Sequence, residues 1–99
     1  MDKLTDREIE IRLVELDRWK IVDEKWLEKK YRFGEYLNGI DFVQKVAHRS
    51  EQENHHPFIS IDYKLISIRI SSWKARGLTD LDFQLAKQYD EIFEHIITK

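Results

Sequence analysis

Residues 51–82 read EQENHHPFISIDYKLISIRISSWKARGLTDLD, and the changes of period within them decide the fold. Pro57 disfavours the α region for His56 and has no N–H for a helix ladder, so a helix must end at the histidines and an extended segment begin. Ile59, Ile61 and Tyr63 then alternate with Phe58, Ser60 and Asp62, until the apolar set moves to Ile66, Ile68 and Ile70. Because strand side chains alternate between faces, that slip reads as a turn near Tyr63-Lys64 joining two strands, or as one strand with a bulge. Gly77 punctuates the run. Thr79 with Asp82 has capping-box spacing, and Leu85, Tyr89, Ile92 and Ile96, beside Ala86 and Phe93, recur at helical intervals toward the C-terminus.

Working back toward the N-terminus, Thr5-Asp6-Arg7-Glu8 is a second capping box and predicts a helix from about Asp6. Ile9, Leu13 and Leu16 carry its apolar stripe, widened by Val14, and the pattern fades near Asp17-Arg18. Trp19-Lys20-Ile21-Val22, the polar Asp23-Glu24-Lys25, and the alternation of Leu27, Lys29, Tyr31 and Phe33 with Trp26, Glu28, Lys30 and Arg32 read as a hairpin. Gly34 breaks it. Tyr36, Ile40, Val43 and Ala47, flanked by Leu37 and Val46, then mark a helix lasting to about Glu53; Gly39 inside it is unfavourable, and a close helix–sheet contact is one reason for a glycine there. The order is helix, two strands, helix, two strands, helix. It predicts an α+β two-layer sandwich, a four-stranded antiparallel sheet with helices packed on one face. An edge strand as apolar as Leu65 to Ile70 would need a cover, so a homodimer or homotetramer is expected.

Ninety-nine residues fit one domain spanning 1–99. The chain is 41% hydrophobic and 36% charged, which supplies a core and excludes disorder. Seventeen Lys plus Arg against 19 Asp plus Glu give a net charge of -2, which argues against nucleic acid as a partner. Without cysteine there is no disulfide, thiolate nucleophile or Cys-based metal site. No apolar run reaches membrane-spanning length and no signal-like opening precedes Thr5, so no membrane role and a cytoplasmic location are expected.

His55 and His56 carry the strongest claim to chemistry, because imidazoles titrate near neutrality. Glu51, four residues before His55, stands where a helix would let its carboxylate orient that ring. The competing reading is that two polar residues simply terminate a surface helix. A metal site is disfavoured: His48 and His55 lie two turns apart with no third donor in view. Trp73-Lys74-Ala75-Arg76-Gly77 is a loop that could stack on and grip a flat or anionic ligand, the alternative being a core or interface tryptophan beside solvated cations. Lys29, Lys30 and Arg32 read as a strand's solvated face, and Asp82 as support for a helix N-terminus with a further polar role open.

Glu51, His55-His56-Pro57, Tyr63, Trp73 after Ser71-Ser72, Gly77-Leu78-Thr79 and Asp82, taken in order and spacing, resemble the signature of the pterin-4a-carbinolamine dehydratases. With Trp19 and the element order, the resemblance covers nearly the whole chain. It implies a hydro-lyase that dehydrates 4a-hydroxytetrahydropterin to quinonoid dihydropterin without metal or organic cofactor. It makes His55 and His56 the acid/base pair, with Glu51, Pro57, Ser72, Trp73 and Asp82 binding the substrate. Many members have a third histidine where this chain has Trp73, and an indole cannot exchange a proton at neutral pH, which implies a reduced rate. Some members of the resembled family pair with transcription factors, so a non-catalytic or weakly catalytic pterin-binding or dimerisation module is the alternative.

Overall fold

In the computed structural model, which describes residues 2–98, the chain runs α1 (Asp6–Val14), β1 (Lys20–Val22), β2 (Trp26–Arg32), α2 (Tyr36–Gln52), β3 (Phe58–Asp62), β4 (Leu65–Ile70) and α3 (Asp80–Ile97). The end residues of the expected domain, Met1 and Lys99, lie outside the described residues. Both capping boxes are local causes of their helices. At α1, Glu8 accepts the Thr5 N–H at 2.9 Å while Thr5 Oγ1 accepts the Glu8 N–H at 3.2 Å. The backbone bond from Thr5 holds the Glu8 carboxyl below the usual carboxylate range. Both hairpin turns use left-handed residues, Asp23 and Glu24 in the first and Tyr63 in the second.

The sheet is antiparallel throughout, in the order β1-β2-β4-β3. Antiparallel register gives each strand one face toward the helices. On that face Leu27 and Tyr31 of β2 meet Ile66, Ile68 and Ile70 of β4, all buried, and Phe42, Val46, Leu85 and Tyr89 close the layer from α2 and α3. A Cβ at Gly39 would stand 3.3 Å from Phe33 and 3.5 Å from Ile66, so glycine there admits the close approach of α2 to the sheet.

Several expectations change. Leu65 to Ile70 is not an edge strand: β4 is bracketed by β2 and β3, and the edge beside it is β3, which exposes Phe58 and Ile61. The buried stripe of α2 is Gly39, Phe42, Val46 and Ser50; Tyr36 and Ala47 lie outside it because the glycine, not a large side chain, marks the face nearest the sheet. Val14 is exposed rather than widening the stripe of α1. Lys29 is buried on the helix-facing side, not solvated, because Asp90 of α3 waits for it. The Asp90 carboxylate accepts from Lys29 Nζ at 2.8 Å, Tyr31 Oη at 2.6 Å and Trp19 Nε1 at 3.1 Å. Burial, then the Asp90 charge, pushes the Tyr31 hydroxyl far above the ordinary phenol range.

The sheet's other face carries a cross-strand pair, Glu28 opposite Arg69, forked through Nε at 3.1 Å and Nη2 at 2.8 Å. The Arg69 guanidinium lies over Trp26, 5.6 Å from its centroid. Trp26 in turn touches Phe58 and Trp73, with centroids 5.0 and 6.2 Å away.

Candidate active site

The histidines hang from a specific helix ending. Asn54 takes φ 50°, its N–H bonds to the Glu51 carbonyl, and the His55 N–H reaches back to the Ser50 carbonyl at 3.0 Å. That pair of bonds is a Schellman motif, and asparagine is the residue besides glycine that most readily adopts its left-handed position. The chain therefore leaves α2 turned away from the helix axis, and Pro57 starts the extended run into β3.

This turn re-pairs the carboxylates. Glu51 does not orient His55: its Oε1 lies 2.7 Å from His56 Nε2. His55 Nε2 instead meets Asp82 Oδ1 at 2.7 Å. Nor does His55 share a helix face with His48, because α2 has ended at Gln52. The two pairs differ in setting. Side-chain exposure is 14% for His55 and 0% for Asp82, against 56% and 78% for His56 and Glu51. The first pair works in a low dielectric, whereas water screens the second.

Asp82 is held from beneath. Its Oδ2 accepts the Thr79 N–H at 2.8 Å and Ser72 Oγ at 2.7 Å, and Thr79 Oγ1 lies 2.9 Å from Ser72 Oγ. One buried carboxylate thus caps α3, as expected, and also bonds His55. Although Ser72, His55 and Asp82 are neighbours, the connectivity is not that of a serine nucleophile. Ser72 gives its proton to Asp82, and His55 Nε2, only 3.5 Å from Ser72 Oγ, already faces the same carboxylate.

Asn54, His55, His56, Ser72, Trp73 and Thr79 are among the residues lining a recess of about 400 Å³. That volume falls within the range of small-molecule sites. Four of the seven expected site residues, His55, His56, Ser72 and Trp73, line this space; Glu51 and Asp82 stand behind the rings, and Pro57 shapes the turn. Asn54 was missed, although an asparagine just past a helix end is a readable signal; Thr79 was read for its capping and signature positions and not as a lining residue. Trp73 is not a core residue; it is 69% exposed on the single chain and meets Trp26 edge to face. Tyr63 sits apart at the β3–β4 turn, stacked on Tyr36 with centroids 5.9 Å away. A groove of about 360 Å³ between α1 and α3 is bridged by the ion pairs Arg12–Asp80 and Lys87–Glu15.

Neither imidazole has a partner at Nδ1 among the described residues. In each ring Nε2 faces a carboxylate and Nδ1 is the nitrogen without a hydrogen bond. A neutral ring donating from Nε2 has a basic Nδ1, and a protonated one has an acidic Nδ1–H.

A family model described as Pterin 4 alpha carbinolamine dehydratase matches residues 2–92. The chain belongs to that family. A provisionally named pterin-4-alpha-carbinolamine dehydratase of Picosynechococcus sp. is 36% identical over 90 residues, covering 91% of this chain and 97% of the relative. One of Sulfurisphaera tokodaii, likewise provisionally named, is 34% identical over 92 residues, covering 93% and 98%. The crystal structure of a transcriptional coactivator/pterin dehydratase from Brucella melitensis superposes with a TM-score of 0.88 at 25% identity, covering 92% of this chain and 98% of that one. A pterin dehydratase-like RuBisCO assembly factor of the alpha-carboxysome shares the fold with a TM-score of 0.66 at 20% identity, covering 77% and 89%. Family membership accounts for the three-helix, four-strand arrangement and for the pterin dehydratase signature. Among the described residues no helix is long and apolar enough to cross a membrane.

Proposed function

We propose that this chain is a single 1–99 domain that dehydrates a 4a-hydroxytetrahydropterin to the quinonoid dihydropterin and water. The observation that carries the reading is the pair of carboxylate-backed imidazoles, each with a free Nδ1, on one recess beside an exposed indole. The reaction asks for two proton transfers. A base removes the proton on N5, the N5 electrons form the C4a=N5 bond, the C4a–O bond breaks, and an acid protonates the departing hydroxyl to water. Two imidazoles in opposite protonation states satisfy both demands, and Asp82 or Glu51 stabilises whichever ring carries charge. Trp73 offers a π face for the bicyclic ring, in place of a third proton carrier.

The test is to generate 4a-hydroxytetrahydropterin in situ and follow the quinonoid product by absorbance, for the parent, His55→Ala and Trp73→His. The expected result is a loss of roughly 10²- to 10⁴-fold in His55→Ala and a gain in Trp73→His. Equal rates in parent and His55→Ala leave the alternative, a non-catalytic pterin-binding or dimerisation module. Self-association through the β3 edge, as homodimer or homotetramer, is part of the same reading, and sedimentation reads it directly.

A further inference from the structure

Beyond Trp73 lies a second recess of about 320 Å³, lined by Lys25, Trp26, Ser71, Ser72, Trp73, Arg76 and Gly77. It shares Ser72 and Trp73 with the histidine recess, so the indole and the serine form the wall between them. The loop that builds this wall is short and closed: Ser72 and Gly77 bridge across it, and Arg76 takes φ 61° to complete the turn. Its charge is one-sided. Lys25 and Arg76 line the second recess, whose lining includes no carboxylate, and Lys74 lines the first. Among the described residues none of Lys25, Lys74 and Arg76 enters an ion pair. A chain of net charge -2 thus leaves three unpaired cations around one aromatic wall.

The covalent structure of a pterin says what would reach them. C6 is bonded to N5, and N5 to C4a, so a substituent at C6 leaves the ring beside the edge that reacts. A ring placed with N5 and C4a at the imidazoles must direct that substituent along an adjacent wall of the recess. Ser72 and Trp73 are such a wall, and past it the aromatic floor of Trp26 and the Lys25 and Arg76 side chains form an anion-accepting surface. Resting on the dehydratase reading, we infer that the second recess is a subsite for an anionic 6-substituent, and that the preferred substrates are pterins with a phosphate ester or carboxylate on the C6 side chain.

Equilibrium titration of the full chain with 6-hydroxymethylpterin and with its phosphate monoester tests the inference, since neither compound reacts. Two exposed cations acting on one phosphate at low salt give an expected preference of roughly tenfold for the ester. Lys25→Gln/Arg76→Gln is expected to abolish the preference while moving affinity for the neutral pterin less than about twofold, and inorganic phosphate to weaken only the ester. An ester that binds no better than the neutral pterin overturns the subsite, and so does a preference that survives in the double variant. Turnover of a 4a-hydroxytetrahydropterin with a neutral side chain separates the two levels. Turnover without ester preference sinks the subsite alone; no turnover, with no binding of either pterin, sinks the dehydratase reading and the subsite with it.

Discussion

Replacing Asp82 by asparagine changes no atom's position in outline, yet it should disable His55 for a reason that can be worked from hydrogen-bond direction. Thr79 N–H and the Ser72 hydroxyl both donate to Oδ2, so the amide must keep its carbonyl oxygen on that side. Its NH2 group then faces His55 Nε2 at the 2.7 Å now spanned by carboxylate and ring. Only an Nε2 that accepts is compatible with that contact, which moves the ring proton to Nδ1 and turns the free nitrogen from base to donor. Loss of one positioned acid/base group typically costs about 10²- to 10⁴-fold in kcat. The stability cost is smaller. Three charge-assisted bonds become neutral ones and the α3 N-terminus loses a favourable carboxylate, partly offset by no longer burying a charge, for a net of roughly 1–2 kcal/mol. In a domain of this size that lowers Tm by roughly 5–15 °C. The assay is dehydratase turnover well below Tm, paired with ¹⁵N NMR of the His55 ring nitrogens. Turnover within threefold of the parent, or an Nε2-protonated ring in Asp82→Asn, would refute the argument.

Three further outcomes are expected. Glu51→Gln should cost less than about fivefold in turnover and lower Tm by no more than about 8 °C, because its pair with His56 is solvent-screened and such pairs contribute about 0–1 kcal/mol; a turnover loss near that of Asp82→Asn would contradict this. Asp90→Ala strands three donors, from Trp19, Lys29 and Tyr31, and should destabilise by about 2–4 kcal/mol in urea unfolding, while Lys30→Ala on the exposed side changes little. Burial, opposed by the Ser50 hydrogen bond and reinforced by the Asp82 charge, pushes the Tyr89 hydroxyl up to about 12. The unfolded chain ionises this group near 10, so its contribution is intact below that pH and declines through pH 12, by roughly 2–3 kcal/mol at 1.4 kcal/mol per unit. Urea midpoints between pH 9 and 12 should fall less steeply in Tyr89→Phe, and superimposable slopes would refute the assignment.

The sequence carried the element order, because its apolar residues change period between strands and helices and because α1 and α3 open on capping boxes that obey local rules. It was weaker wherever a distant partner decides the outcome. Lys29 shared a strand face with Leu27 and Tyr31, yet nothing local said that Asp90, sixty-one residues on, would neutralise it. The phase of α2 was misjudged because the residue closest to the sheet is Gly39, which contributes nothing to a hydrophobic count. That β4 lies between β2 and β3 is a property of topology, invisible in the strand's own composition. At the recess, the histidines were legible from residue type and Pro57 from its backbone demands. The exchange of carboxylate partners was not, because it depends on the left-handed residue between the helix and the rings.

That single joint at Asn54 also sets where the chain tolerates changes in length. An extra residue among Asp23, Glu24 and Lys25 would lengthen a solvated hairpin tip and leave its strands in register. An extra residue between Asn54 and Pro57 would swing both rings off their carboxylates while the core stayed packed. Scanning the chain with one-residue insertions should therefore separate folding from the proposed turnover at this joint, giving a protein that unfolds near the parent's Tm yet lacks dehydratase activity.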